Sequence, residues 1–150
     1  MREKGLKLRA GYIGGGTPSS LTTSQLESLL NHIEKHFGTM EEFTVEAGRP
    51  DTLDEQKLRM IHHHPVTRIS INPQTMNDET LVRIGRAHTA QQTIQAYRLA
   101  RHIGFDDINM DVIAALPGEN YAMFAHTLEE IRKLQPESLT VHTLAIKPPA

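Results

Sequence analysis

The chain contains no cysteine. A disulfide is therefore impossible, and no thiolate-held metal or iron–sulfur cluster can be supplied by these 150 residues. No stretch approaches the roughly 18 to 20 consecutive apolar residues that a membrane span needs. The charged start, Met1 to Leu8, is not followed by an apolar signal core. This pattern reads as a cytoplasmic protein with no membrane partner. Blocks of Lys and Arg are also missing: charges of both signs are interspersed and the net charge is -2. That argues against a nucleic-acid footprint and against a surface for anionic lipid. Nor is there a Gly- or Ser-rich linker or a charge run to mark a boundary. With 38% hydrophobic residues, the length and balance fit one globular domain.

What is present is an alternation of strand and helix repeated five times. Strands are predicted at Ala10–Ile13, Phe43–Ala47, Arg68–Asn72, Ile108–Ala114 and Ser138–Ala145. Ile69 and Ile71 alternate with polar neighbours in the third. A helix over Thr23–Phe37 places Leu26, Leu29, Leu30 and Ile33 at helical spacing. A second is predicted to open at Asp51 as N-cap, to turn Leu53, Leu58 and Ile61 inward and to stop before Pro65. A short helix over Asp78–Gly85 and a longer one over Ala90–Ile103 follow, with Gly104 at the left-handed C-cap. The last helix covers Tyr121–Leu134. Parallel strands joined by right-handed helical crossovers close toward a barrel or a curved half-barrel, so the fold class is α/β.

In such folds ligands bind at the carboxyl ends of the strands. The first strand runs into Gly14-Gly15-Gly16-Thr17-Pro18, a turn that exposes main-chain N–H and C=O groups to a ligand. An ordinary tight turn between strand and helix accounts for the glycines equally well. The other junctions are polar: Glu46 after the second strand, Asn72 and Gln74 after the third, Asn109 and Asp111 at the fourth, His142 and Thr143 at the fifth, with Arg86 beyond the short helix. Carboxylates and amides suit an ammonium or a ribose diol, and an arginine suits a carboxylate. Each residue alone reads as a solvated loop group. Their coincidence at successive strand ends is what points to a zwitterionic ligand bearing hydroxyls.

These segments, with Val45-Glu46-Ala47-Gly48-Arg49-Pro50, Ile84-Gly85-Arg86-Ala87-His88, Asn109-Met110-Asp111-Val112-Ile113, Leu116-Pro117-Gly118-Glu119 and Ser138 to Lys147, form an ordered set. The set resembles the radical S-adenosylmethionine (SAM) superfamily, and within it the oxygen-independent coproporphyrinogen III oxidases, or coproporphyrinogen dehydrogenases, of haem biosynthesis. The resemblance implies a partial (βα)6 TIM-like barrel, of which residues 1–150 would be the second to sixth units. It implies that Gly15, Gly16 and Thr17 hold SAM through backbone groups, with Glu46 as the strand-end carboxylate. Gln74, Arg86 and Asp111 would hold further parts of it, and Ala145 would offer a main-chain contact. In the complete protein a reduced [4Fe–4S] cluster, fed by an electron donor, would cleave SAM to the radical that starts oxidative decarboxylation of a porphyrinogen substrate. The cluster motif, Cys-x3-Cys-x2-Cys, lies upstream of the glycine turn in the family. The chain therefore reads as a fragment, inactive alone and contributing only binding and orientation. Two other readings stay open: a haem-handling or SAM-binding relative without oxidase activity, and an unrelated βα-barrel enzyme whose glycine turn binds phosphate.

Other signals carry less. His62, His63 and His64 are neighbours pointing in different directions, better read as a helix end than as a metal site. His32 and His36 have zinc spacing without the accompanying Glu and read as solvated. Met76, Met110 and Met123 read as fillers of core gaps. His88 and His142 fall near the rim, with structural and substrate-contact roles both open. Ala115 stands where the resembled proteins have Gly before Leu-Pro, which questions the tightness of that turn.

Overall fold

In the computed structural model, which describes residues 7–145, five strands form one parallel sheet in sequence order. They are β1 (Ala10–Ile13), β2 (Glu42–Gly48), β3 (Arg68–Gln74), β4 (Ile108–Ala114) and β5 (Ser138–Thr143). The crossovers are α1 (Thr23–Phe37), α2 (Glu55–His63), α3 (Asp78–Arg83) with α4 (Ala90–Ile103), and α5 (Tyr121–Leu134). A sheet whose order never reverses, joined by crossovers of one hand, keeps its helices on one side and curls around the other. The expected α/β half-barrel is what forms. Ile146 and Lys147 of the last motif lie outside the described residues, as do the first residues of the charged start.

The two faces follow from period-two alternation held in register. Ile13 pairs with Val45, Val45 with Ile69 and Ile69 with Ile108, so aliphatic side chains line up across four strands. Ile71, Met110 and Val112 join them, against Leu26 and Leu30 of α1, Leu58 and Ile61 of α2, Tyr97 and Ala100 of α4 and Ile131 of α5. Each fully buried aliphatic side chain contributes about 1.5–3 kcal/mol. Met76 and Met110 are buried here as core fillers, whereas Met123 on α5 is only half-buried.

Helix starts are capped by local chemistry. Thr22 with Gln25 and Thr89 with Gln92 form reciprocal capping boxes on α1 and α4. Asn120 accepts from the Met123 N–H at 3.0 Å on α5. Gly104 takes the left-handed C-cap of α4, as predicted. The start of α2 departs from expectation. Pro50, Asp51 and Thr52 close a 3-10 turn, in which Thr52 donates to the Arg49 carbonyl through both its N–H (3.0 Å) and its hydroxyl (2.8 Å). The cap passes to Asp54, which accepts from the Lys57 N–H at 2.7 Å. Leu53 then precedes the helix and packs on the core from outside it.

Strand lengths differ at two ends. β3 continues through Pro73 to Gln74, and because proline has no N–H to give the ladder, the register with β4 slips between Ile71 and Gln74. β5 stops at Thr143, although the Leu144 N–H still donates to the Ala114 carbonyl at 3.2 Å. The histidines at the end of α2 join elements. His62 stacks edge-on against Phe105 and lies 3.3 Å from the Gly104 carbonyl, while buried His64 meets Glu34 of α1. His32 contacts the Ser28 carbonyl of its own helix. Among the described residues no cluster of His, Asp and Glu has the geometry of a metal site, and no helix is long and apolar enough to cross a membrane.

Candidate functional site at the strand ends and inner sheet face

The inner face carries the other half of the alternation. Tyr12 pairs with Thr44 and Thr44 with Arg68; Glu46 pairs with Ser70, Ser70 with Asn109 and Asn109 with Ser138. In an all-parallel sheet both faces are usually apolar, because both are covered. Here one face is a continuous hydrogen-bonded surface. The Gly15 N–H donates to Glu46 Oε2 (3.2 Å), and Asn72 Nδ2 donates to Glu46 Oε1 (2.9 Å). Ser70 Oγ donates to Asn72 Oδ1 (2.9 Å), and Asn109 Nδ2 donates to Ser70 Oγ (2.9 Å) and Asp111 Oδ1 (2.6 Å). Ser138 and Thr140 hydroxyls donate to Asn109 Oδ1 at 3.0 and 3.1 Å. His142 Nε2 stands 3.9 Å from Asp111 Oδ2. A hollow of about 340 Å³ opens over this surface, lined by Tyr12, Ser70, Asn109, Asp111, Thr140 and His142 among others.

The glycine turn meets this chain at Glu46. A Cβ on Gly14 would fall 2.2 Å from Tyr12 Cε1 and 2.9 Å from Glu46 Oε2, so only glycine lets strand, ring and carboxylate share the space. Gly15 and Gly16 have nothing near the position of a Cβ, although the Gly15 N–H and carbonyl are engaged by Glu46 and by the Thr17 N–H (2.9 Å). Thr17 sits at φ 64, in the left-handed region, with its methyl against Gly48 at the end of β2. Partial burial, then the charges of Glu46 and Asp111 and a hydrogen bond to Glu46, hold the Tyr12 phenol above its ordinary pKa. Tyr12 thus stays neutral and available as a donor beside two carboxylates.

Gln74 is buried, at φ 67, at the end of β3. Its neighbour Pro73 offers its carbonyl to His88 Nε2 at 3.2 Å, which ties the end of β3 to the segment that bears Arg86. Burial, with Arg49 nearby, lowers the Arg86 guanidinium from its ordinary range, while Asp51 and Glu46 pull it back. Ala145 is exposed just beyond β5. The structure therefore brings Gly15, Glu46, Asp111 and His142 together through the inner-face network, and sets Thr17 against the end of β2. Asn109 belongs to the same network from the second position of β4, well before the strand end where it was expected. Glu119 of the Leu-Pro-Gly-Glu segment is structural: it accepts from Thr75 (2.5 Å) and Asn77 (3.1 Å), anchoring the loop after β3 to the turn that leads into α5. Ala115 adopts φ 62, so the turn keeps the conformation a glycine would take.

Sequence reasoning missed Tyr12, Ser70 and Thr140. Their signal was the alternation of the strands themselves, since each lies two or four residues from a residue already singled out. The donor set fits a small zwitterion with hydroxyls: open backbone, carboxylates for an ammonium or diol, guanidinium for a carboxylate. It does not fit a cluster, for which no thiolate exists.

Fold and site together define an α/β half-barrel with a polar inner face and a polar rim at the ends of its strands. The chain belongs to the radical SAM superfamily, whose sequence profile it matches over residues 3–131. It is 47% identical to the oxygen-independent coproporphyrinogen-III oxidase-like protein HemZ of Bacillus subtilis, over 98% of this chain and 30% of that protein. It is 35% identical to the heme chaperone HemW of the same organism, over 94% of this chain and 38% of that one. Among solved structures, the coproporphyrinogen III oxidase HemN of Escherichia coli superposes with a TM-score of 0.85 at 27% identity, covering 94% of this chain and 33% of its own. The chain spans about a third of the length of these relatives.

Proposed function

We propose that this chain is the SAM-binding part of a radical SAM protein of tetrapyrrole chemistry, acting in oxygen-independent oxidative decarboxylation of coproporphyrinogen III to protoporphyrinogen IX. The observation that carries the reading is the junction of the glycine turn with the inner face, where the Gly15 N–H and the Asn72 amide fix both oxygens of Glu46. A carboxylate oriented in this way is set to accept from the ammonium of SAM. Backbone groups of Gly15, Gly16 and Thr17 would line the same end, and Ala145 would add a main-chain contact from β5. Arg86 would meet the carboxylate, and Gln74 and Asp111 would hold further polar groups of the ligand. Bound beside a reduced [4Fe–4S] cluster, SAM supplies radical chemistry. The residues of this chain bind, orient and exclude side reactions. These 150 residues contain no cysteine, so cluster thiolates would have to come from elsewhere, and the compartment consistent with this role is the cytoplasm.

The identity to HemW favours a second reading, a haem-handling protein without oxidase activity. One experiment separates the two. The complete protein, with its cluster reconstituted anaerobically, is titrated with SAM and with haem and then assayed for vinyl formation from coproporphyrinogen III. SAM binding with turnover is expected. Haem binding without turnover establishes the second reading, and binding of neither ligand overturns both.

A further inference from the structure

Most arginines of the fold have an internal partner. Among the described residues, Arg9, Arg59, Arg68, Arg101 and Arg132 each meet a carboxylate, and Arg83 donates to the Pro117 carbonyl. Arg98 is exposed. Arg49 and Arg86 have no carboxylate within 4.0 Å, and Nε of Arg49 is buried without any hydrogen-bond partner. Neither neighbouring acid closes an ion pair with them: each oxygen of Glu46 accepts one bond, from Gly15 or Asn72, and Asp51 lies 3.8 Å from His88 Nδ1, which itself has no hydrogen-bond partner.

Position gives this mismatch its meaning. Arg49 directly follows β2, three residues after Glu46 and next to Gly48, against which the Thr17 methyl packs. Its backbone is pinned, because its carbonyl accepts two bonds from Thr52. Asp51 lies 3.8 Å from His88, two residues beyond Arg86, so the same turn sits beside the segment carrying Arg86. Arg49 also contributes to the lowering of Arg86, as a nearby like charge must. Two guanidiniums beside a strand end, neither in a salt bridge with an internal acid, are suited to planar recognition of a carboxylate.

We propose that Arg49 and Arg86 together form a carboxylate-binding pair, with Arg49 a ligand-contacting residue of the site and not a structural arginine. The inference rests on the reading above. In that reaction a carboxylate has two sources: the methionyl end of SAM and the propionates of the tetrapyrrole.

The test measures binding in the complete protein, comparing wild type with Arg49→Gln and the charge-keeping Arg49→Lys, each checked by thermal melting. The ligands are SAM, decarboxylated SAM and coproporphyrin. If the pair holds the methionyl carboxylate, Arg49→Gln weakens SAM about 10-fold or more, as loss of a charge-assisted hydrogen bond does. Decarboxylated SAM is then bound within about 2-fold of wild type, because the partner group is already gone. If the pair holds a propionate, the loss appears with coproporphyrin alone. Arg49→Lys falls between wild type and Arg49→Gln in either case, which guards against a folding defect. Unchanged affinity for both carboxylate ligands, or equal weakening of SAM and decarboxylated SAM without loss for coproporphyrin, overturns the proposal. Failure of wild type to bind SAM removes the underlying reading instead, and the coproporphyrin arm still decides the role of Arg49.

Discussion

The two faces of the sheet use the same strands to opposite ends. Toward the helices, Val45, Ile69, Ile71, Ile108, Met110 and Val112 are fully buried and touch other apolar groups. Toward the hollow, Glu46, Ser70, Asn72, Asn109 and Asp111 touch one another through hydrogen bonds. The first face holds the fold together by removing area from water. The second holds its shape with bonds of about 0.5–1.5 kcal/mol net each, so it adds little stability while fixing where each polar atom points. A face built in this way can be altered in chemistry without collapse of the core behind it.

The comparison is broken most directly from the helix side. Ile69→Ala should lower unfolding free energy by about 2–5 kcal/mol, measured in urea, because it leaves a cavity among packed aliphatic groups. A loss below about 1 kcal/mol would mean that the core does not rest on this face. On the other side the expected effect moves from stability to binding. Asp111→Ala, Gln74→Ala and Arg86→Ala should each weaken SAM by roughly 10- to 100-fold by calorimetry in the complete protein, about 1.5–3 kcal/mol. Unchanged affinity in all three returns them to solvated groups of the rim.

Asn109→Ala sharpens the contrast within the inner face. It removes a shared partner of Ser70, Asp111, Ser138 and Thr140, and should cost about 1 kcal/mol of stability, less than Ile69→Ala. A cost equal to that of Ile69→Ala would make the two faces alike. The smallest effect concerns pH. Burial lowers the His88 pKa despite the Pro73 carbonyl and Asp51, with Arg86 and Arg49 adding to the lowering. The unfolded chain then takes up its proton first. The contribution is therefore fully present above about pH 6.5, the unfolded value, and declines as pH falls from there toward the lower folded value. His88→Gln should flatten the melting temperature of wild type against pH in that window. An identical slope in both proteins assigns the pH dependence to other histidines.

Much of this was readable beforehand because the strands are short and strictly alternating. Ile69 and Ile71 among polar neighbours located β3 and its faces, and Gly104 located the end of α4. The start of α2 was not readable, since Asp51 and Asp54 are equally good caps and only the 3-10 turn after Pro50 chooses between them. The site was legible where residues end strands, as with Glu46 and the glycine turn. It was not legible at Tyr12, Ser70 and Thr140, whose importance comes from register between strands far apart in sequence. Arg49 could be read as part of a motif, but its unmatched state depends on where Asp51 turns.

Thr17, Gln74 and Ala115 share a feature whose consequence reaches past binding. All three are non-glycine residues at positive φ, just past β1, at the end of β3 and just past β4. The left-handed conformation costs an L residue roughly 1–2 kcal/mol, a sum for the three comparable to the lower end of the 5–15 kcal/mol or so that keeps a domain folded. That tension is accepted once, during folding, when the turns are set. If SAM binds at this rim as proposed, it meets turns whose conformation is already set, and ordering them is not charged to binding. Thermal resilience given up at the rim would then be the counterpart of a pre-formed site.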